Sequence, residues 1–78
     1  MPVISRFYGI TIKMYLQTKE HNPPHIHAIY QDSMGSFLIE NGHMTEGDIP
    51  LKGQKLIQEF ISCYQKELLE MWETQNFY

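Results

Sequence analysis

Three of the four histidines lie within the segment His21-Asn22-Pro23-Pro24-His25-Ile26-His27-Ala28. On a β-strand, His25 and His27 point to the same face with Cα atoms roughly 6.5–7 Å apart. Two imidazoles at that spacing can converge on one metal ion or one anion. The stiff Pro-Pro pair holds His21 where its ring can add a third nitrogen. Three protein ligands and one open position are typical of a catalytic zinc site.

The same segment also fits roles without a metal. Histidines beside a strand often bond backbone carbonyls and fix a loop, and the segment contains no cysteine. The nearby carboxylates, Glu20 and Asp32, have no helical spacing to the histidines. Three alternatives therefore stay open: a zinc-like divalent-metal site at His21, His25 and His27, a binding site for a small ligand, nucleic acid or a protein, and a structural corner.

A second candidate binding segment is Arg6-Phe7-Tyr8-Gly9, which places the only arginine beside two aromatic residues. Such a combination can bind a phosphate or stack on a base. The alternative is a structural arginine paired with a carboxylate. The binding residues predicted from both segments are Arg6, Tyr8, His21, Asn22, His25 and His27.

Other catalytic groups are scarce, which favours a protein that is not an enzyme. The serines lack a motif for an activated nucleophile, and the glycines are too scattered for a phosphate-binding loop. Glu67, Glu70 and Glu73 are three residues apart, as on a solvated helix face. Cys63 is predicted to be packed within the helix, and Met71 and Trp72 are predicted to belong to the core.

The chain has 78 residues, a mass of 9.3 kDa and a formal net charge of −3. A domain of this size buries only about 60–65 % of its unfolded surface, so contact with a partner or a second copy would stabilise it. The six basic residues argue against nucleic acid as the main ligand, although Arg6, Lys13 and Lys19 could contact phosphates. One cysteine excludes an intrachain disulfide and indicates the cytoplasm. No apolar stretch approaches the ~20 residues of a membrane span.

Hydropathy with period two predicts the elements that position these residues. Strands are expected at 10–15, 25–30, 36–40 and 43–46, with a further edge segment at 3–7. Asn41-Gly42 predicts a two-residue type I′ turn. Period 3.6 then predicts a helix over 52–73 whose apolar stripe is Leu56, Ile57, Phe60, Ile61, Tyr64, Leu68, Met71 and Trp72.

The predicted fold is α+β: a small antiparallel sheet of three to four strands, covered on one face by one long C-terminal helix. Residues 1–78 form a single domain, with strands and turns over 1–49, the helix over 51–73 and a tail over 74–78.

Three motifs carry a family resemblance: Ile4-Ser5-Arg6-Phe7-Tyr8-Gly9-Ile10, the histidine-rich segment over 21–28, and Glu67-Leu68-Leu69-Glu70-Met71-Trp72-Glu73. Together they resemble the small bacterial family DUF4160, whose function is unassigned. The resemblance implies a bacterial cytoplasmic protein that acts with a partner, because members are often encoded beside a DUF2442-type protein in toxin–antitoxin-like pairs. It implies no catalytic residues.

The expected function is therefore a small binding or regulatory module that acts with a small operon neighbour or a second copy, away from membranes. The alternative is a metal-dependent hydrolase or nuclease. In that case His21, His25 and His27 would hold the ion, Glu20 would be the base and a metal-bound water would be the nucleophile.

Overall fold

Five antiparallel strands and one C-terminal helix make up the fold, in a computed structural model that describes residues 3–14 and 23–74. The α+β prediction is confirmed. The elements are β1 (Val3–Phe7), β2 (Ile10–Lys13), β3 (His25–Tyr30), β4 (Ser33–Leu38), β5 (Met44–Gly47) and α1 (Leu51–Thr74). Neighbours in the chain are neighbours in the sheet, which has the order β1-β2-β3-β4-β5. The sheet has five strands rather than three to four because residues 3–7 form a full strand paired with β2.

Strand β3, which contains the histidines, has the predicted bounds of 25–30. The bounds of β4 differ from the prediction. This strand begins at Ser33, three residues before the predicted start, and ends at Leu38. The expected type I′ turn at Asn41-Gly42 is wrong. Only Gly42 of that pair has a positive φ, of 76°, and the loop is closed by the Leu38 N–H, which donates to the His43 carbonyl at 3.0 Å. The Asn41 side chain instead accepts a hydrogen bond from the His43 N–H at 2.9 Å.

A two-residue turn with positive φ at both positions occurs instead at Tyr8-Gly9, between β1 and β2, whereas in the Gln31-Asp32 turn between β3 and β4 only Gln31 has a positive φ. Phe7 pairs with Ile10 across the Tyr8-Gly9 turn, and φ is 49° at Tyr8 and 78° at Gly9. Positive φ at both central residues defines the type I′ turn, which matches the twist of the flanking strands. Asn-Gly is the usual sequence there, so a tyrosine at the first position is unusual.

The core lies between α1 and one face of the sheet. Because side chains alternate along a strand, Ile10, Ile12, Ile26 and Ala28 all point towards the helix and are buried. The rest of the buried apolar cluster is Met14, Phe37, Ile39, Ile49, Ile57, Ile61, Leu68 and Trp72. The predicted core positions of the helix are thus confirmed for Ile57, Ile61, Leu68 and Trp72, and Leu56, Phe60 and Met71 pack against this cluster.

Helix α1 departs from regular geometry at Tyr64, where φ is −118° and ψ is 20°. Tyr64 was expected in the buried stripe, but 51 % of it is exposed. The neighbouring Cys63 is also exposed, so its predicted packing is wrong. After this kink, the Gln65 side-chain amide donates to the carbonyls of Ile39 and Glu40, at 2.9 and 2.7 Å, and ties the helix to the β4–β5 loop.

Candidate functional site

The histidine pair, His25 and His27, lies on one face of β3 as the spacing predicted. The two rings meet edge to face, with centroids 5.1 Å apart and an interplanar angle of 67°. Both side chains are half-buried, and strand alternation directs them away from the core-facing side chains of Ile26 and Ala28. His25 is the first residue of β3, and at this end of the strand its ring also lies next to the buried Trp72. The remaining predicted residues of this segment, His21 and Asn22, lie outside the described residues.

The His25 ring is held from two sides. Its Nδ1 lies 2.8 Å from the carbonyl oxygen of Pro23, and because a carbonyl can only accept, Nδ1 carries the proton. The ring centroid is also 5.2 Å from that of Trp72. A neutral imidazole protonated at Nδ1 keeps its lone pair on Nε2, which is the arrangement found in many metal-ligating histidines. It is equally the arrangement of a histidine that fixes a loop.

His27 lies in a polar row that crosses the sheet. Its neighbours in register are Lys13 on β2 and Ser36 on β4, and Ser36 in turn pairs with Glu46 on β5. The His27 Nδ1 and the Ser36 hydroxyl are 3.4 Å apart. Burial lowers the pKa of His27, and nearby His25 lowers it further, while Glu46 acts in the opposite direction. The ring is therefore favoured in its neutral form, which is the form that accepts hydrogen bonds or binds metals.

Within residues 3–14 and 23–74, no three side chains of the types His, Cys, Asp and Glu come together closely enough to hold a metal ion. The described residues thus bring two of the three predicted ligands together. A zinc-like site that also uses His21 stays a prediction.

A second surface, which the sequence did not single out, is an open groove of about 910 Å³ between β1 and α1. Ile4, Ser5, Phe7 and Tyr8 line it on the strand side. A bulge in β1 between Val3 and Ser5 brings two consecutive residues to this side, because the extra residue breaks the alternation. The other lining residues are Tyr30, Lys52, Leu56, Glu59, Phe60, Cys63, Tyr64, Glu67, Leu68 and Met71.

Four aromatic rings form a continuous track across this groove, in the order Tyr8, Phe7, Phe60, Tyr64. Successive ring centroids are 6.2, 5.0 and 5.1 Å apart, and the central pair, Phe7 and Phe60, is stacked. The inner two rings pack against the core, whereas Tyr8 at one end is 80 % exposed. Since Tyr64 at the other end is also exposed, the track presents two accessible tyrosines joined by a packed centre.

The charges of the groove lie on its helix side. The four lining residues on the strand side have no charged side chain, whereas α1 contributes Lys52, Glu59 and Glu67, all of them exposed. The groove is therefore an aromatic surface with a mildly acidic wall.

The predicted binding residues fall on two different surfaces. Tyr8 lies in the groove. Arg6 pairs with Thr11, and this register places it on the opposite sheet face, which it shares with the histidine pair. Sequence reasoning missed Phe60 and Tyr64 as surface residues, although two aromatic residues four apart on a helix are neighbours on its surface.

The fold and the two surfaces define a small two-layer α+β domain with a sheet edge and an aromatic groove. The family model described as a domain of unknown function, DUF4160, matches residues 9–73, and the chain belongs to this family. Strand β1 and Tyr8 precede the matched residues. Neither the curated proteins nor the solved structures contain a significant match. In the described part of the chain, no helix combines the length and hydrophobicity needed to cross a membrane.

Proposed function

We propose that this protein is a binding or regulatory module of the bacterial cytoplasm that receives a segment of a small partner protein in the groove between β1 and α1. The partner is the protein encoded beside it, in a toxin–antitoxin-like pair. The aromatic track carries this proposal, because it offers two exposed tyrosines on a rigid, packed base. Tyrosine is enriched among the residues that dominate binding energy at protein interfaces.

The conformation of Tyr8 supports a role in binding rather than in folding. A non-glycine residue in the left-handed region costs about 1–2 kcal/mol. Tyr8 adopts this conformation although its side chain is 80 % exposed, so packing within the domain offsets little of the conformational cost. Unfavourable backbone conformations of this kind cluster at binding sites.

The charge of the groove favours a different protein over a second copy as the occupant. A two-fold contact through the groove would place Glu59, Glu67 and Lys52 of both copies in one interface, and these side chains carry more negative than positive charge. Each copy also carries a net charge of −3. Like charges across an interface are unfavourable, so the partner segment is apolar and basic.

Co-expression with the neighbouring protein tests the proposal by size-exclusion chromatography with light scattering. We expect a complex with the wild-type chain and at least tenfold weaker binding for Tyr8→Asn, since loss of a tyrosine that anchors an interface costs about 2 kcal/mol. Met34→Ser is the matched control, because Met34 is 60 % exposed on the opposite sheet face. Failure to co-migrate, or equal effects of the two variants, would refute the groove as the binding surface.

A metal-dependent hydrolase or nuclease is the second candidate, favoured by the close approach of His25 and His27 and by the bond that leaves Nε2 of His25 as the lone-pair nitrogen. Elemental analysis of protein purified without a histidine tag tests it. Stoichiometric zinc, manganese or nickel that is lost in His25→Gln supports the site. Absence of metal, together with an unchanged melting temperature on adding each ion, eliminates it.

A further inference from the structure

Strand β1 has a free side next to the groove. Within the described part of the chain, β1 pairs with β2 alone and forms one edge of the sheet. Along an edge strand, alternate backbone N–H and C=O groups point away from the sheet and can pair with another chain. Strand β1 also lines the groove. A segment bound there can therefore pair with β1 through its own backbone and contact the groove with its own side chains.

The opposite edge is a poorer site for such pairing. Strand β5 has four residues, a register shift opposite Ser36 and Phe37, and the exposed carboxylate of Glu46. Bulges and charged side chains are common protection of sheet edges. Strand β1 also has a bulge, but it is one residue longer and has an aromatic groove beside it.

We infer that the partner segment adds to β1 as a sixth strand and carries the pattern basic–x–apolar–x–basic on its groove side. This inference rests on the proposed function and specifies the partner's chemistry. The two basic residues would pair with Glu59 and Glu67, and the apolar residue between them would contact Phe60 and Tyr64. Backbone pairing supplies affinity and the alternating side chains supply selectivity, as in other cases of strand addition.

The spacing of the two carboxylates fits an extended segment that runs along α1. Glu59 and Glu67 are eight residues apart on α1, which corresponds to about 12 Å along a regular helix, and the kink at Tyr64 lies between them. Positions i and i+4 of a β-strand point to the same side and are about 13 Å apart. Position i+2, on the same side, then lies midway, at the level of Cys63 and Tyr64.

Titration of the ¹⁵N-labelled full chain with a synthetic peptide tests the inference by NMR. The probe is a seven-residue peptide of threonines with lysine at its second and sixth positions and isoleucine at its fourth. We expect chemical-shift changes along β1 and at Phe60 and Tyr64, with slower exchange of the outward-facing amides of β1. A peptide with glutamates in place of the lysines should not bind.

Two double variants of equal charge isolate the carboxylates. We expect about fivefold weaker peptide binding for E59Q/E67Q, because exposed ion pairs contribute little each, and no change for E40Q/E70Q. Glu40 and Glu70 are exposed but do not line the groove. Unchanged β1 amides, or equal effects of the two double variants, would overturn the strand addition. The complex with the whole partner protein then decides about the proposed function. If Tyr8→Asn weakens that complex, the proposed function stands and only the strand addition is wrong. If Tyr8→Asn leaves it unchanged, both are wrong.

Discussion

Replacing Tyr8 with asparagine separates the needs of the fold from those of binding. The turn requires positive φ at residues 8 and 9, where φ is 49° and 78°. Asparagine tolerates the left-handed region better than tyrosine does, and Asn-Gly is the preferred sequence of a type I′ turn. We therefore expect Tyr8→Asn to stabilise the free protein while weakening its complex with the partner.

The size of the stability change follows from two opposing contributions. Relief of the left-handed tyrosine should gain about 1 kcal/mol. The edge-to-face contact of Tyr8 with Phe7, at 6.2 Å, is lost. Because Tyr8 is largely exposed, this loss should be about 0.5 kcal/mol, at the low end for aromatic pairs. The net gain of about 0.5 kcal/mol corresponds to a melting temperature higher by roughly 2–4 °C for a domain of this size.

The only tryptophan, Trp72, gives a direct assay, since it is 1 % exposed and its fluorescence reports unfolding in urea. Gly9→Ala is the matched control in the same turn. An added Cβ at Gly9 meets nothing within 4 Å, so its effect comes from the backbone alone and should lower stability by about 1 kcal/mol. A loss of more than about 1 kcal/mol in Tyr8→Asn would refute the reasoning, since it would make Tyr8 a packing residue.

Three further changes test the packing and the electrostatics. Gly53→Ala should lower the urea midpoint although alanine favours helices, because the added Cβ would lie 2.8 Å from Ile49 Cγ2 and 3.0 Å from Tyr30 Cδ2. We expect the free energy of unfolding to fall by about 1 kcal/mol, and a rise would contradict this packing. Gln65→Leu removes two donated hydrogen bonds and should lower the free energy of unfolding by about 1–2 kcal/mol in the same assay. An unchanged free energy of unfolding would mean that water replaces these two bonds. The pKa of His27 is lowered in the folded state by burial, so the unfolded chain binds protons more readily and stability should fall as the pH drops below about 6.5. His27→Gln should flatten that dependence in urea titrations at several pH values, and an unchanged slope would assign it to other groups.

The parts of the fold that depend on periodicity were predictable from sequence. Strand β3 alternates between buried Ile26 and Ala28 and the half-buried histidines, and this pattern fixed its bounds and its faces. The helix was predictable from its 3.6-residue hydrophobic period alone. The turns were less predictable because their type depends on tertiary pairing. Asn41-Gly42 has the strongest local turn signal, yet the buried side chain of Ile39 and the bonds from Gln65 select a longer loop there.

The candidate site was predictable only where it coincides with a local motif. The histidine pair follows from strand alternation alone. The groove does not follow from any local pattern, because its two walls come from residues about fifty positions apart, such as Phe7 and Phe60. The stacking of these two rings depends on where α1 crosses the sheet. The exposure of Tyr64 depends on the helix kink, for which the sequence offers no proline or glycine as a signal.

The groove is a geometric consequence of the fifth strand. Adjacent strands are about 4.8 Å apart, so five strands span roughly 19 Å between the outer two, whereas one helix with its side chains is only about 10–12 Å wide. A single helix can cover three strands, and both edges of a five-stranded sheet need other cover. On the β5 side, Ile39, Met44 and Ile49 from the strand and its loops pack against the core. On the β1 side, the strand meets the helix through Phe7 and Phe60, and the space beyond them is the groove. A sheet of three to four strands would have fitted under the helix, so the strand that exceeds the sequence prediction is also the one that creates the proposed binding surface.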